Sequence, residues 1–189
     1  MRRSKIAIFR FIGNPAAISF TSMTVKAFIL LTAAAICLGQ TQARAADCTD
    51  PPHKGVDWQR CLLDRRDLAG QNLADARMTD ASLERADLSG ADLTRAQSYR
   101  VKLLGARLTK ATLTDGQFTE ADFTNADLSG ASLKGADLRR ARFYRATLRG
   151  ADLTGAKTLG ADFLNADLSG ATWTDGTRVC APGSIGQCE

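Results

Sequence analysis

A chain of 189 residues has room for one domain with a moderate core, or for a domain preceded by a leader. Only 6% of its residues are aromatic and the 44% that are hydrophobic come largely from alanine and leucine, which argues against a core of interlocking large side chains. The net charge of +5 does not point to nucleic acid: Arg2, Arg3, Lys5, Arg10, Lys26 and Arg44 lie in a stretch without acids, and the remainder carries 19 basic against 20 acidic side chains.

Residues 1–45 read as a secretory leader. Lys26 is followed by a 13-residue apolar run, Ala27 to Gly39, and then by Gln40 to Ala45, with Ala43 and Ala45 at the small-residue positions for cleavage after Ala45. The run falls short of the roughly 20 residues that a bilayer span needs, so no stable membrane span is expected. The 26 residues before it are long for such a leader, and Met23 offers a second start that would leave an ordinary one. The expected compartment is periplasmic or secreted.

Residues 46–60 form an N-terminal cap in which Val56 and Trp58 supply apolar cover. From residue 61 to 175 the chain repeats every five residues. The central positions run Leu63, Leu68, Leu73, Met78 and onward to Trp173, 23 units that are large and apolar in all but Ser98 and Thr158. Two residues earlier, 18 of the 23 positions are alanine. Units such as Ala86-Asp87-Leu88-Ser89-Gly90 and Ala126-Asp127-Leu128-Ser129-Gly130 are typical. Five residues turn an α-helix by about 500°, and an odd step on a strand changes face, so neither element gathers these side chains on one side. They converge only if the chain turns a corner every five residues, with four units closing a coil and alanine fitting the tight corner. Coils stacked at about 4.8 Å make a rod of roughly 28 Å.

This pattern resembles the pentapeptide-repeat family, with its A(D/N)LXX consensus. The resemblance covers 61–175 and implies an all-β fold, a right-handed quadrilateral β-helix of about six coils with disulfide-stapled ends. Spacing by twenty gives four inward columns: Leu63, Leu83, Leu103, Phe123, Phe143 and Phe163; leucine throughout; leucine ending in Trp173; and the irregular Met78, Ser98, Phe118, Leu138 and Thr158. The two polar residues are expected to bond corner backbone. The regularly spaced aspartates are expected to serve solubility and to bond the backbone of neighbouring coils. Asp67 and Asp87 stack without an evident counter-charge, and Asp122 and Asp162 alternate with Lys102 and Arg142 as a charge ladder.

A solenoid must protect its ends. Residues 176–189 look like the tails of exported members, a C-terminal cap in which Val179 and Ile185 could fold over the last coil. Cys37 leaves with the leader. Cys48, Cys61, Cys180 and Cys188 remain, and the rod between the two groups favours the local pairs Cys48–Cys61 and Cys180–Cys188. Free thiols or a metal site are the alternative, which the single histidine, His53, and the lack of a CxxC disfavour.

No enzymatic motif appears, so the chain reads as a non-enzyme without cofactor or metal. Two surface features stand out. Tyr99, Leu104, Tyr144, Leu159 and Leu164 replace polar residues at outward positions on two adjoining faces, a candidate partner surface. Arg139, Arg140, Arg142, Arg145 and Arg149 form a belt that could contact anions, or a solvated face. The expected function is a rigid solenoid surface for an unknown protein or envelope component, with a homodimer as one form. The alternative, the DNA-mimicking topoisomerase-binding kind of pentapeptide-repeat protein, would need an acidic face that the repeat does not offer. No nucleic acid is expected as partner.

Overall fold

The computed structural model describes residues 46–189; the leader, its cleavage point after Ala45 and the alternative start at Met23 lie outside the described residues. From Asp57 onward every fifth residue forms a parallel bridge with the residue twenty places later: Asp57 with Arg77, Leu62 with Ser82, Asp67 with Asp87, Asn72 with Asp92, and so on to Asp152 with Thr172. Each side of the coil contributes one bridge residue rather than an extended strand, because a corner follows two residues later.

The corner is a four-residue turn with a fixed recipe. The carbonyl of the central residue accepts the amide three residues on, as Leu88 O does from Ala91 N–H at 3.0 Å. The residue before that amide takes a left-handed φ, +66° at Gly90 and +57° at Arg85. Positive φ confined to the second central residue is the type II pattern, which favours glycine. Nevertheless 14 non-glycine residues, six of them acidic or asparagine and eight basic or otherwise charged by arginine and lysine, occupy such positions. Their side chains leave the rod at the corner, away from the packed interior.

Both inward positions are sealed. The alanines at 76, 81 and 86 and the leucines at 83, 88 and 93 are at most 2% exposed. In the mixed column the rings of Phe123, Phe143 and Phe163 stack face to face with centroids 4.8 Å apart, so the coil spacing itself sets the stacking distance. The other irregular positions compensate one another. At 116, where alanine would be regular, glycine makes room: an added Cβ would overlap the Phe118 ring. At 101, beside the small Ser98, valine replaces alanine and is buried.

The coil begins five residues earlier than the repeat predicts. Val56 and Trp58 are not merely cover: Val56 takes the alanine position, Asp57 bridges Arg77, Trp58 is fully buried at the leucine position and Arg60 turns the corner with φ of +59°. The disulfide Cys48–Cys61 closes residues 46–54 beneath this first coil, and the Trp58 indole N–H donates to Asp50 O. A second disulfide joins Cys180 and Cys188. The tail differs from expectation. It returns antiparallel, Ile185 against Asp167 and Val179 against Thr172, burying Cys180 and Ser184 while Val179 and Ile185 stay 61% and 51% exposed. Backbone pairing rather than apolar burial fixes its register. Among the described residues no helix is long and apolar enough to cross a membrane.

Candidate functional site at the C-terminal end of the coil

The outward surface is built from aspartates whose work is local. Asp87 Oδ1 accepts the amide of Ser89 at 3.0 Å, Asp127 that of Ser129 and Asp152 that of Thr154. The expected bond to neighbouring coil backbone is made by Asp64, which accepts the Glu84 amide at 3.0 Å; these others bond the residue two places on, since an aspartate beside a turn reaches its own chain first. Ser89 and Arg107 together hold the Asp87 carboxyl below its usual range. Asp87 therefore has a counter-charge after all, Arg107 Nη1 at 2.8 Å from one coil above. The same twenty-residue register pairs Arg95 with Asp75, Arg100 with Asp80 and Arg142 with Asp122. Among the described residues no three metal-ligating side chains cluster.

The arginine belt is a set of pairs rather than a reservoir of free charge. Arg139 bonds Asp137, whose carboxyl it holds down, Arg140 reaches Glu120 at 3.5 Å, Arg142 meets Asp122 and Arg149 meets Asp167. Arg145 lies over the Tyr144 ring at 5.0 Å. The apolar stripe likewise divides. Tyr99, Leu104 and Tyr144 are half-buried against their neighbours, the Tyr99 hydroxyl donating to Glu120 and its ring carrying Arg100. Leu159 and Leu164 remain 80% and 59% exposed. Of the two polar residues in the irregular column, Ser98 is fully buried with its hydroxyl bonded to no protein group, contrary to the expected bond to a corner, and Thr158 is part-buried.

Exposed large apolar side chains thus gather at one end. Leu159 and Leu164 follow the bridge residues Lys157 and Asp162, and Ile185 and Val179 pair with the next two bridge residues, Asp167 and Thr172. Among the described residues only Leu62, at the opposite end, is comparably exposed. The sequence pointed to Leu159 and Leu164 as part of a longer stripe. It did not reveal the edge beside them, although residues 157 and 162 have no repeat partner twenty places on, a signal that was there to read.

A model of pentapeptide repeats matches residues 59–96, 117–155 and 146–172. Among solved structures, the chain is similar to HetL, a pentapeptide repeat protein involved in heterocyst differentiation regulation in Nostoc sp. strain PCC 7120, with 32% identity over 66% of this chain and 68% of that one and a TM-score of 0.41. It is also similar to Rfr23 from the cyanobacterium Cyanothece 51142, at 24% identity, 64% and 86% coverage and a TM-score of 0.47. A pentapeptide repeat protein of the Arabidopsis thaliana thylakoid lumen matches at 27% identity, 69% and 85% coverage and a TM-score of 0.32. No curated protein matches the sequence. The five-residue register, its corners and the matched repeats agree: the chain belongs to the pentapeptide-repeat family, whose fold is a right-handed β-helix.

Proposed function

We propose that the protein is a non-enzymatic, exported solenoid, periplasmic or secreted, that offers a rigid surface to another protein or to a component of the cell envelope. In this reading the coil is quadrilateral and has about six turns, following the stacking distance of paired strands. The observation that carries the proposal is the gathering of Leu159, Leu164, Val179 and Ile185 at one end of a rod whose other large apolar side chains are nearly all enclosed. Apolar area concentrated in one place on a polar surface is the usual mark of an interaction site.

The chemistry elsewhere supports the same reading. The Ser98 hydroxyl is sealed in the core and the His53 ring bonds its own Pro51 carbonyl, so neither offers a nucleophile beside a base. The DNA-mimicking alternative fares worse, because the aspartates at 75, 80, 87 and 122 are each matched by an arginine one coil above. The test is chemical crosslinking of the tagged full-length chain in cells, followed by envelope fractionation and recovery of its partners. N-terminal sequencing of the recovered chain should begin at Ala46. An intact product in the cytoplasm would remove the export reading, and a homodimer as the sole crosslinked species would reduce the partner to a second copy.

A further inference from the structure

The four sides of the last coil do not end alike. On two of them the tail supplies the missing neighbour: Leu168 N–H donates to Ser184 O, Gly170 N–H to Cys180 O and Trp173 N–H to Arg178 O. On the two preceding sides no segment supplies such bonds, and the tail comes near only at Gly186, which lies beside Phe163 O and Asn165 N. One coil lower, the amides of Leu138, Arg140, Phe143 and Arg145 donate to the carbonyls of Lys157, Leu159, Asp162 and Leu164. The equivalent amides of Thr158, Gly160, Phe163 and Asn165 have no partner among the described residues, nor do the carbonyls of Ala156 and Ala161. The core is thin at the same place. Leu138 and Phe143 are fully buried, whereas Thr158 and Phe163 directly above them are only part-buried.

Unpaired amides and carbonyls in strand register are a template for one more strand, and the exposed Leu159 and Leu164 flank this one. The charges at the edge decide what kind of strand it accepts. Lys157 and Arg145 have no ion pair among the described residues, and Arg140 makes only its 3.5 Å contact with Glu120 while remaining largely exposed. Asp162 is the one acid on the edge itself. Pairing the edge with itself about a two-fold centred on Lys157 would set Lys157 against its own copy, so like charge opposes that arrangement. An acidic strand meets no such opposition, and within the protein Lys157 already stacks on Asp137 in the ladder below.

We propose that the open edge from Ala156 to Phe163 binds an extended segment of a partner protein by strand addition, and that this segment combines an acidic residue set against Lys157 with an apolar one that covers Phe163. This rests on the binding role put forward above and assigns it a place and a chemistry. Phe163 already packs edge-on against Trp173 with centroids 5.6 Å apart, so an apolar side chain laid above would complete a partly open aromatic pair.

The test is fluorescence anisotropy of the full-length protein with a short labelled peptide alternating valine and aspartate, beside a valine–lysine counterpart. Thr158→Pro deletes an amide that bonds nothing in the folded protein, so the coil should survive, as circular dichroism will check, while binding of the aspartate peptide falls by roughly tenfold, the factor that 1.4 kcal/mol represents. Lys157→Glu should weaken the aspartate peptide and favour the lysine one. Leu62→Ser, at the opposite end, should change nothing. Equal affinity of wild type and Thr158→Pro, or indifference to peptide charge, overturns the proposal, as does sedimentation showing a dimer in which these four amides are protected from exchange. If the peptide fails while crosslinking still recovers an envelope partner, the edge proposal falls and the scaffold reading stands.

Discussion

Replacing Ser98 by alanine should stabilise the protein, which is the reverse of what most core substitutions do. The Ser98 side chain is fully buried and its hydroxyl bonds no protein group. Beside it lies a cavity of about 10 Å³ lined, apart from Ser98 itself, by Met78, Leu83, Leu88, Leu93, Val101, Leu103 and Phe118. That volume is at the lower limit for a water molecule, and a water there would find one polar partner where it needs at least two. The hydroxyl has therefore lost its hydration without a substitute, at a cost of about 1–3 kcal/mol. Alanine removes that cost and deletes a single atom, enlarging the cavity only slightly, so a net gain of about 1 kcal/mol is expected. For a domain of this size this raises the melting temperature by about 3 °C. Urea unfolding followed by far-ultraviolet circular dichroism, with reversibility checked and both disulfides intact, measures the difference. An alanine variant less stable than the parent would mean that the hydroxyl has a partner in solution and that the column is not sealed at this level.

The neighbouring irregularity gives the opposite sign: Gly116→Ala should cost about 1–3 kcal/mol because its Cβ collides with the Phe118 ring, and Phe118→Leu in the same chain should recover much of that loss in a double-mutant cycle. Reduction of the two disulfides, whose partners are 13 and 8 residues apart, should lower stability by about 2–3 kcal/mol each, read as a shift of the urea midpoint with and without reductant. The carboxyls of Asp75, Asp80 and Asp137 are held below their usual range, each first by its arginine hydrogen bond. Their folded forms thus release protons more readily than the unfolded chain, so the contribution is complete above about pH 4 and is lost as acid titrates through the lowered folded values; a urea midpoint rising on acidification would contradict this.

The period of five was legible because each inward position repeats one residue type without interruption, and no regular element other than a cornered coil can use that spacing. Val56 to Arg60 reads as cover rather than as a coil because valine and tryptophan stand where alanine and leucine are the rule. The Arg142–Asp122 pair was legible from the twenty-residue columns, whereas the partners of Arg140 and Arg149 lie twenty and eighteen residues away at positions the columns did not single out. The tail could not be read by hydrophobicity. Val179 and Ile185 lie on the strand positions that face away from the core once Cys180 and Ser184 are buried, and that phase is set by hydrogen bonds to the last coil. The edge at Ala156 to Phe163 follows from the same phase, since the tail pairs with Asp167 and Thr172 and comes no further back along the coil than Gly186 beside Asn165.

The corner residues with left-handed φ bear on how such a surface can change over time. At Arg95, Arg100 and Arg140 the turn constrains the main chain while the side chain projects outward to an acid one coil below. Substitution there edits one letter of an outward column and leaves the packed letters untouched. Inside and outside of the rod can therefore drift under separate selection, the inward pair fixed by volume and the corner free to exchange glycine, charge or amide. A lineage could acquire a new binding face by a handful of such exchanges while its melting behaviour stays almost the same.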